Sequence, residues 1–260
     1  MAVPVREGGG PCIIGLRAAV GKLLAVLLVP GIGFAATLTV DAQANIFGAG
    51  HSAPPAPGAG GAGILPPAFS FGVVSGGGII FTSVTGMVSC CIGVAGTFTG
   101  PDGGTPVAPF SSNTNISSYG GVSGIQFTDR QMFMVGVFLN SSEPVDPAPA
   151  SLSYASGGGT DLYYYPLLNQ IFFIGDGLTG TGTGSNQIFF IPAGATRMYL
   201  GFADMQGFLG GPGWYGDNVN HPSSPAGLTA TFLLSMPEPG AGLLVALGLA
   251  ALAVARLRHA

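Results

Sequence analysis

Ile79-Ile80-Phe81-Thr82-Ser83-Val84-Thr85 is the stretch of the sequence that decides the fold. It is dominated by β-branched and aromatic residues. Glycines stand on both sides of it, where the chain can turn. A short run of this composition between turn residues is typical of a β-strand. We therefore expect a strand over Ile79–Val88.

Similar apolar and β-branched runs recur along the chain, separated by Gly, Pro, Asn and Ser. No window shows a sustained apolar period of 3.6 residues with helix caps. Many short strands with turn residues between them predict an all-β protein, a jelly-roll-like antiparallel β-sandwich. The other expected strands are Thr37–Phe47, Ala68–Val74, Gln131–Leu139, Gln170–Ile174, Gln187–Ile191, Arg197–Phe202 and Leu228–Leu234.

The composition supports a folded body and excludes some partners. Gly numbers 46 and Pro 21, but 47% of the 260 residues are hydrophobic and only 7% are charged, which argues against disorder. Between Thr37 and Ser235 the only basic residues are Arg130 and Arg197, against nine acidic ones. Without a basic stripe we expect no nucleic-acid binding. The excess of acidic oxygens is compatible with calcium, and equally with a solvated surface.

Three cysteines are present, and Cys12 falls in the expected leader. Cys90 and Cys91 are adjacent, so a disulfide between them cannot join distant parts of the fold. No Cys-x-x-Cys zinc pattern is present. We expect both to be small buried side chains rather than a strained vicinal disulfide.

The first 36 residues have the pattern of a secretory signal peptide. Arg17 and Lys22 precede the apolar run Leu23–Val29, and the small residues Ala35 and Ala36 follow. This order of positive, apolar and small residues predicts export with cleavage near Ala36. Cleavage at a second small-residue site, Ala42-Gln43-Ala44, is an alternative, although it falls inside the first expected strand.

The last 25 residues, 236–260, contain three features in order. Pro237-Glu238-Pro239 precedes the apolar run Ala241–Val254, and Arg256 and Arg258 follow. The run is a marginal transmembrane helix, and the arginines favour a cytoplasmic C-terminus. This order resembles the PEP-CTERM sorting tail. The resemblance implies that the protein is held at the inner membrane until an exosortase cleaves near Pro-Glu-Pro, and that it then reaches the cell surface or extracellular matrix.

No motif points to an enzyme. Gly175–Gly180 has the spacing of a dinucleotide-binding fingerprint, but the following Thr181–Ser185 cannot open the helix that such a site needs, so we expect a hairpin loop. The body histidines, His51 and His221, lie in no metal-binding or nucleophile motif. A hydrolase would require a catalytic group assembled from distant segments, and we expect none.

The most informative segment follows the expected strand Arg197–Phe202. That strand ends on Asp204, and after a glycine-rich loop the chain reads Trp214-Tyr215-Gly216-Asp217-Asn218. Side-chain oxygens on loops at one end of a sandwich are the ligands that calcium prefers. This segment resembles the calcium-dependent galactose-binding lectins of bacteria. The resemblance implies that Asp204, Asp217 and Asn218, with the carbonyl of Trp214, hold calcium.

The same resemblance implies a sugar site beside the metal. Gly100-Pro101-Asp102-Gly103 is similar to a sugar-site loop of those lectins, and Trp214, Tyr215 and Asn220 complete the expected site. The implied ligand is a glycan or exopolysaccharide. The sequence departs from the lectin pattern in a longer loop before Trp214 and in His221–Pro225. The alternative function is therefore a structural matrix or envelope protein of the same fold that binds no ligand.

Overall fold

The computed structural model describes residues 33–55, 61–72, 76–92, 96–104, 113–204 and 215–235. The expected signal peptide lies almost wholly outside these ranges, and the expected sorting tail and Trp214 lie outside them entirely, so these three remain predictions. Among the described residues, no helix has the length and apolar character needed to span a membrane.

The described body is all-β, as the sequence predicts, with seventeen strands, one short 3-10 turn at Ile46–Gly48 and no α-helix. The strands are β1 (Phe34–Val40), β2 (Ala68–Ser70), β3 (Gly78–Thr85), β4 (Val88–Ser89), β5 (Phe98–Thr99), β6 (Asn113–Ile116), β7 (Ile125–Thr128), β8 (Phe133–Leu139), β9 (Leu152–Tyr154), β10 (Tyr163–Tyr164), β11 (Ile171–Phe173), β12 (Leu178–Gly180), β13 (Thr183–Asn186), β14 (Ile188–Phe190), β15 (Arg197–Ala203), β16 (Val219–Asn220) and β17 (Leu228–Ser235).

Two larger sheets carry the body. The five-stranded sheet has the order β1-β17-β3-β14-β10, and the four-stranded sheet has the order β11-β8-β15-β2. Three small sheets join β16-β4-β5, β6-β7-β9 and the hairpin β12-β13. Most pairs are antiparallel, but β10 pairs with β14 and β7 pairs with β9 in parallel. The body is thus mainly rather than purely antiparallel.

Aromatic side chains connect the two larger sheets. Phe172 of β11 lies 5.2 Å from Phe189 of β14, and Phe69 of β2 lies 5.0 Å from Phe232 of β17, measured between ring centroids. β8 is buried along its whole length, whereas β17 alternates buried and less buried residues. Alternation places one face of β17 in the core and the other toward solvent, as in a sandwich of two packed sheets.

Each of the eight expected runs overlaps a strand; most of these strands are shorter than predicted, and Arg197–Phe202 and Leu228–Leu234 are each extended by one residue. The expected strand nearest the N-terminus, Thr37–Phe47, shows the main difference. β1 begins earlier, at Phe34, and ends at Val40, after which the chain turns into the 3-10 turn. Asn45 causes this change, because its Oδ1 accepts a hydrogen bond from Phe47 N at 3.0 Å and caps the turn.

Strands that sequence reasoning missed are short or polar. β6 (Asn113–Ile116) and the hairpin β12-β13 contain mainly Asn, Thr, Ser and Gly, which have low strand propensity. The Gly175–Gly180 segment is a hairpin, as expected: Asp176 Oδ1 accepts a hydrogen bond from Leu178 N at 2.9 Å, and Asp176 Oδ2 accepts one from Gly182 N at 2.6 Å.

One glycine brings the end of β1 against the start of β17. Gly227 has φ of +87°, and a Cβ there would overlap Val40 O and lie 2.9 Å from Asp41 Cα. Only glycine tolerates both the left-handed conformation and the close approach. The loop that precedes β17 is therefore held directly against the turn that follows β1.

Candidate functional site

The segments predicted to form a site meet at one end of the two larger sheets. β1 and β15 finish there, and the turn at 41–45 that follows β1 contacts both the end of β15 and the loop that carries Asn218. Phe202 N donates to Ala44 O at 3.1 Å, and Asn218 Nδ2 donates to Ala42 O at 3.1 Å. β8 and β17 begin at the same end. We call this the site end.

Asp204 directly follows β15 at the site end. Its neighbour Ala203 pairs with Phe133 at the start of β8, so the position of Asp204 is set by the antiparallel ladder. The residue is 1% exposed. Burying a carboxyl group at this depth is costly unless polar groups or a cation accompany it.

Tyr215 differs from its expected role. We expected its ring to stack on a ligand, but the side chain is completely buried and its hydroxyl donates to Phe202 O at 2.9 Å. Burial, and after it the charge of Asp204, raises the pKa of Tyr215 well above its usual value. Tyr215 is therefore a core residue that packs beside Asp204, and a sugar cannot reach its ring.

Asp217 and Asn218, neighbours in the sequence, each bury a side-chain oxygen. Asp217 Oδ1 and Asn218 Oδ1 are both buried, and neither has a hydrogen-bond partner in the described part of the chain. Burial raises the pKa of Asp217. Asn218 is 1% exposed and anchored through its own Nδ2, so its oxygen is fixed in place. Buried acceptors without donors can serve as ligands of a cation.

Asn220 holds two segments together. Its Oδ1 accepts from Ala42 N at 2.8 Å, and its Nδ2 donates to Asp41 Oδ2 at 2.7 Å and to Pro225 O at 3.1 Å. These bonds use the amide within the protein. In this structure Asn220 connects the end of β1 to the loop before β17, which differs from the ligand contact expected from the sequence.

Asp102 lies at a small surface cavity with Arg130. The Arg130 Nη1 atom is 3.2 Å from Asp102 O and 4.0 Å from Asp102 Oδ1. The Arg130 guanidinium carbon lies 5.0 Å from the ring centroid of Phe127 and 5.7 Å from that of Phe173. The cavity holds about 10 Å³, enough for one water-sized group. Thr160 and Thr181 also line it.

A backbone hydrogen bond holds the Asp102 carboxyl in place, and the Arg130 guanidinium is too far away to neutralise its charge fully. Asp102 Oδ1 accepts a hydrogen bond from Asp176 N at 3.0 Å. Burial raises the pKa of Asp102, although the hydrogen bond from the Asp176 backbone and the charge of Arg130 act in the opposite direction. A carboxyl with a raised pKa beside an arginine at an opening is a feature of many functional sites.

Thr114 links this cavity to Asp204. Its Oγ1 lies 2.8 Å from the carbonyl oxygen of Arg130 and 3.1 Å from that of Asp204. The structure thus brings the Asp102 loop and Asp204 to the same end of the body, and Tyr215 connects Asp204 to Asp217 and Asn218. Within the described ranges, no group of three or more His, Cys, Asp or Glu side chains is arranged to hold a metal ion. A cation here would need Asn218 and carbonyl oxygens as further ligands.

Cys90 and Cys91 correct one expectation. Both are buried, as expected, but the structure joins them in a vicinal disulfide, where we expected reduced thiols. β4 ends just before them and pairs with both β5 and β16, which holds the turn that contains the two cysteines. Ile92 N donates to Asp217 O at 2.9 Å, so this turn also supports the loop that carries Asp217.

Sequence reasoning missed Arg130, Thr114 and Thr181 as site residues. Arg130 could have been found, because it is one of two basic residues in a strongly acidic body. Thr114 and Thr181 lie in polar segments with no recognisable pattern, and only the pairing of β6 and of the β12-β13 hairpin brings them to the site.

No protein-family model, no curated protein and no solved structure matches the chain.

Proposed function

We propose that this is an exported, membrane-sorted surface protein whose body binds glycans with the assistance of calcium. The observation that carries the proposal is the buried Asp102 carboxyl beside Arg130 at an open cavity. The finer assignment, a jelly-roll-like sandwich similar to the calcium-dependent galactose-binding lectins, belongs to the same proposal. Two larger sheets packed through aromatic rings support it, whereas the two parallel pairings depart from a regular jelly roll.

The chemistry of the Asp102–Arg130 cavity suits a sugar hydroxyl. The carboxylate of Asp102 accepts a hydrogen bond, the Arg130 guanidinium donates, and the cavity admits one hydroxyl-sized group. Charge-assisted hydrogen bonds of this kind are stronger than neutral ones. Phe127 and Phe173 fix the plane of the guanidinium, so its orientation is set before the ligand arrives.

The proposal that calcium binds rests on different residues, Asp217 and Asn218. A cation would satisfy the two buried oxygens, which have no donors in the described part of the chain, and would also remove the cost of burying the Asp217 charge. Asp204 and the carbonyl of Trp214 are the remaining ligands that we propose. Calcium would fix the loop around Tyr215 and thereby the end of β15.

Replacing either charged group of the cavity is expected to weaken glycan binding at least about tenfold. A hydrogen bond to a charged group contributes about 1.5–3 kcal/mol, and about 1.4 kcal/mol corresponds to a tenfold change in Kd. Asp102→Asn and Arg130→Gln are the variants, with a glycan array to find the ligand and calorimetry to measure its Kd.

Arg197→Gln is the matched control for that experiment. Arg197 is the other basic residue of the body, and it donates to Asn140 O and Ser142 O at the opposite end of β15. Its replacement should leave the affinity unchanged. Equal affinities for the wild type and Asp102→Asn would show that the cavity plays no part in glycan binding.

The exported protein is expected to lack both ends. Mass spectrometry of the native protein from an exosortase-positive strain should give a chain that begins near Thr37 and ends near Pro237–Pro239. Cleavage after Ala36 preserves the pairing of Thr37–Val40 with β17, whereas cleavage after Ala44 would remove β1 altogether. A mature chain with residues well before Thr37 argues against the leader, and one that retains Leu243–Arg258 argues against sorting.

A matrix or envelope protein that binds no ligand is the second candidate. The observation that favours it is the internal use of two expected ligand residues: Tyr215 is buried and the amide of Asn220 is fully engaged. An array without any bound glycan, together with normal export and processing, would support this candidate over the first.

A further inference from the structure

Exposed aromatic side chains, with an exposed leucine two residues further along the chain, lie at the edge of the five-stranded sheet. Tyr163 is 52% exposed, Tyr165 71% and Leu167 57%. The ring of Tyr165 stacks on Phe190 with centroids 4.6 Å apart and planes 4° from parallel, and Tyr163 lies 6.2 Å from the same phenylalanine. Single exposed apolar residues are ordinary, but a contiguous group indicates an interaction surface. We call these four residues the edge patch.

The edge patch lies at the end of the sheet where the described chain finishes. Ser235, the last residue of β17, pairs with Gly78 of β3, and Gly78 pairs with Phe190 of β14. Neighbouring strands are about 4.8 Å apart, so Phe190 is roughly 10 Å from Ser235 across the sheet. β10 runs parallel to β14, so Tyr165 continues toward this same end.

The chain that follows Ser235 is too short to separate this end from the membrane. Five residues, 236–240, stand between β17 and the apolar run that begins at Ala241. Five residues span at most about 18 Å when fully extended. If the apolar run is in a bilayer, the end of β17 must lie within that distance of the membrane surface. This step rests on the proposed function of the tail as a membrane anchor.

We propose that the edge patch rests on the outer surface of the inner membrane while the tail is anchored. Tyrosine is enriched at membrane interfaces, because its apolar ring and polar hydroxyl suit the boundary between acyl chains and headgroups. None of the four side chains is charged, so contact with lipid requires no charge to be desolvated. The partner of the edge patch is thus the lipid interface, reached through the short connection 236–240.

This arrangement directs the site end away from the membrane. β17 runs from Leu228, near Asn220 and Gly227, to Ser235, and eight strand residues extend about 24 Å. Asp204, Asp217 and Asn218 therefore face outward while the protein is anchored. Glycan binding and membrane contact then use opposite ends of the same sheets and do not compete.

Depth-dependent fluorescence quenching tests the proposal on the full chain. Trp214 is the only tryptophan, so the Trp214→Phe variant has no tryptophan fluorescence. In that variant, Tyr165→Trp or Leu167→Trp introduces a single tryptophan whose emission comes from the edge patch. Met87→Trp is the control, because Met87 is exposed in the turn between β3 and β4 at the site end. Each variant is reconstituted in liposomes with and without brominated lipids, and flotation records membrane attachment.

The proposal predicts blue-shifted emission and strong quenching by brominated lipids for the two patch variants, and neither for Met87→Trp. A protein that floats with the liposomes but shows no quenching at either patch position overturns the proposal and leaves the anchor intact. A protein that does not float overturns the anchor and the patch contact together. Blue-shifted but unquenched emission, together with dimers in cross-linking, would show that the edge patch contacts a second copy of the protein. That result also overturns the membrane proposal.

Discussion

Phe189→Ala is expected to destabilise the body by about 3–5 kcal/mol, the usual cost of removing a buried phenylalanine ring. Phe189 is fully buried in β14. Its ring contacts Tyr164 at 5.1 Å and Phe81 at 5.6 Å within its own sheet, and Phe172 at 5.2 Å in the opposite sheet. The substitution therefore leaves a cavity at the contact that joins the two larger sheets.

Urea unfolding of residues 33–235, followed by far-UV circular dichroism, measures this loss. Tyr165→Ala is the matched control, since it removes an aromatic ring of similar size from the neighbouring strand segment, but at an exposed position. Its cost should stay below about 1 kcal/mol, as for other surface substitutions. Similar losses for the two variants would mean that Phe189 does not bridge the sheets.

Calcium is expected to raise the free energy of unfolding by about 2.7 kcal/mol at a concentration of one hundred times its Kd. Binding only to the folded state produces this gain by mass action. Asp217→Asn and Asp204→Ala should abolish it, because each removes a proposed carboxylate ligand. Asp161→Ala should retain it, since Asp161 is exposed on the loop before β10. Equal melting temperatures in saturating calcium and in chelator would exclude the metal site.

The same site predicts how stability depends on pH. Burial raises the pKa of Asp217 in the folded state above its unfolded value. Such a group stabilises the fold while it is protonated, and this contribution is lost as the pH rises through the folded pKa. In chelator, stability should therefore fall as the pH rises through that range. The pKa of Asp102 is also raised, chiefly by burial, so Asp102 acts in the same direction. Saturating calcium should reverse the part of the fall that comes from Asp217, because it binds that carboxylate in its ionised form.

The sequence by itself determined the all-β class and most of the long strands. Ile79–Thr85 and Leu228–Leu234 were recognisable because β-branched and aromatic residues stand between glycine and polar turn residues, and this local signal needs no tertiary context. Asp204 could be placed at the end of a strand for the same reason. The hairpin after Gly175 was also readable, since glycine and threonine alone cannot continue into a helix.

Only the tertiary structure decided which loop residues face a ligand and which are used by the fold. Tyr215 and Asn220 look like binding residues in the sequence, yet Tyr215 is buried against β15 and Asn220 is bonded to the turn that follows β1. Arg130 reached Asp102 through the antiparallel bridge between Gly104 and Gln131 and the hydrogen bond from Met134 N to Pro101 O. Burial and hydrogen-bond partners are long-range properties of the folded chain, whereas strand propensity and turn chemistry are local, and a single sequence records only the local part.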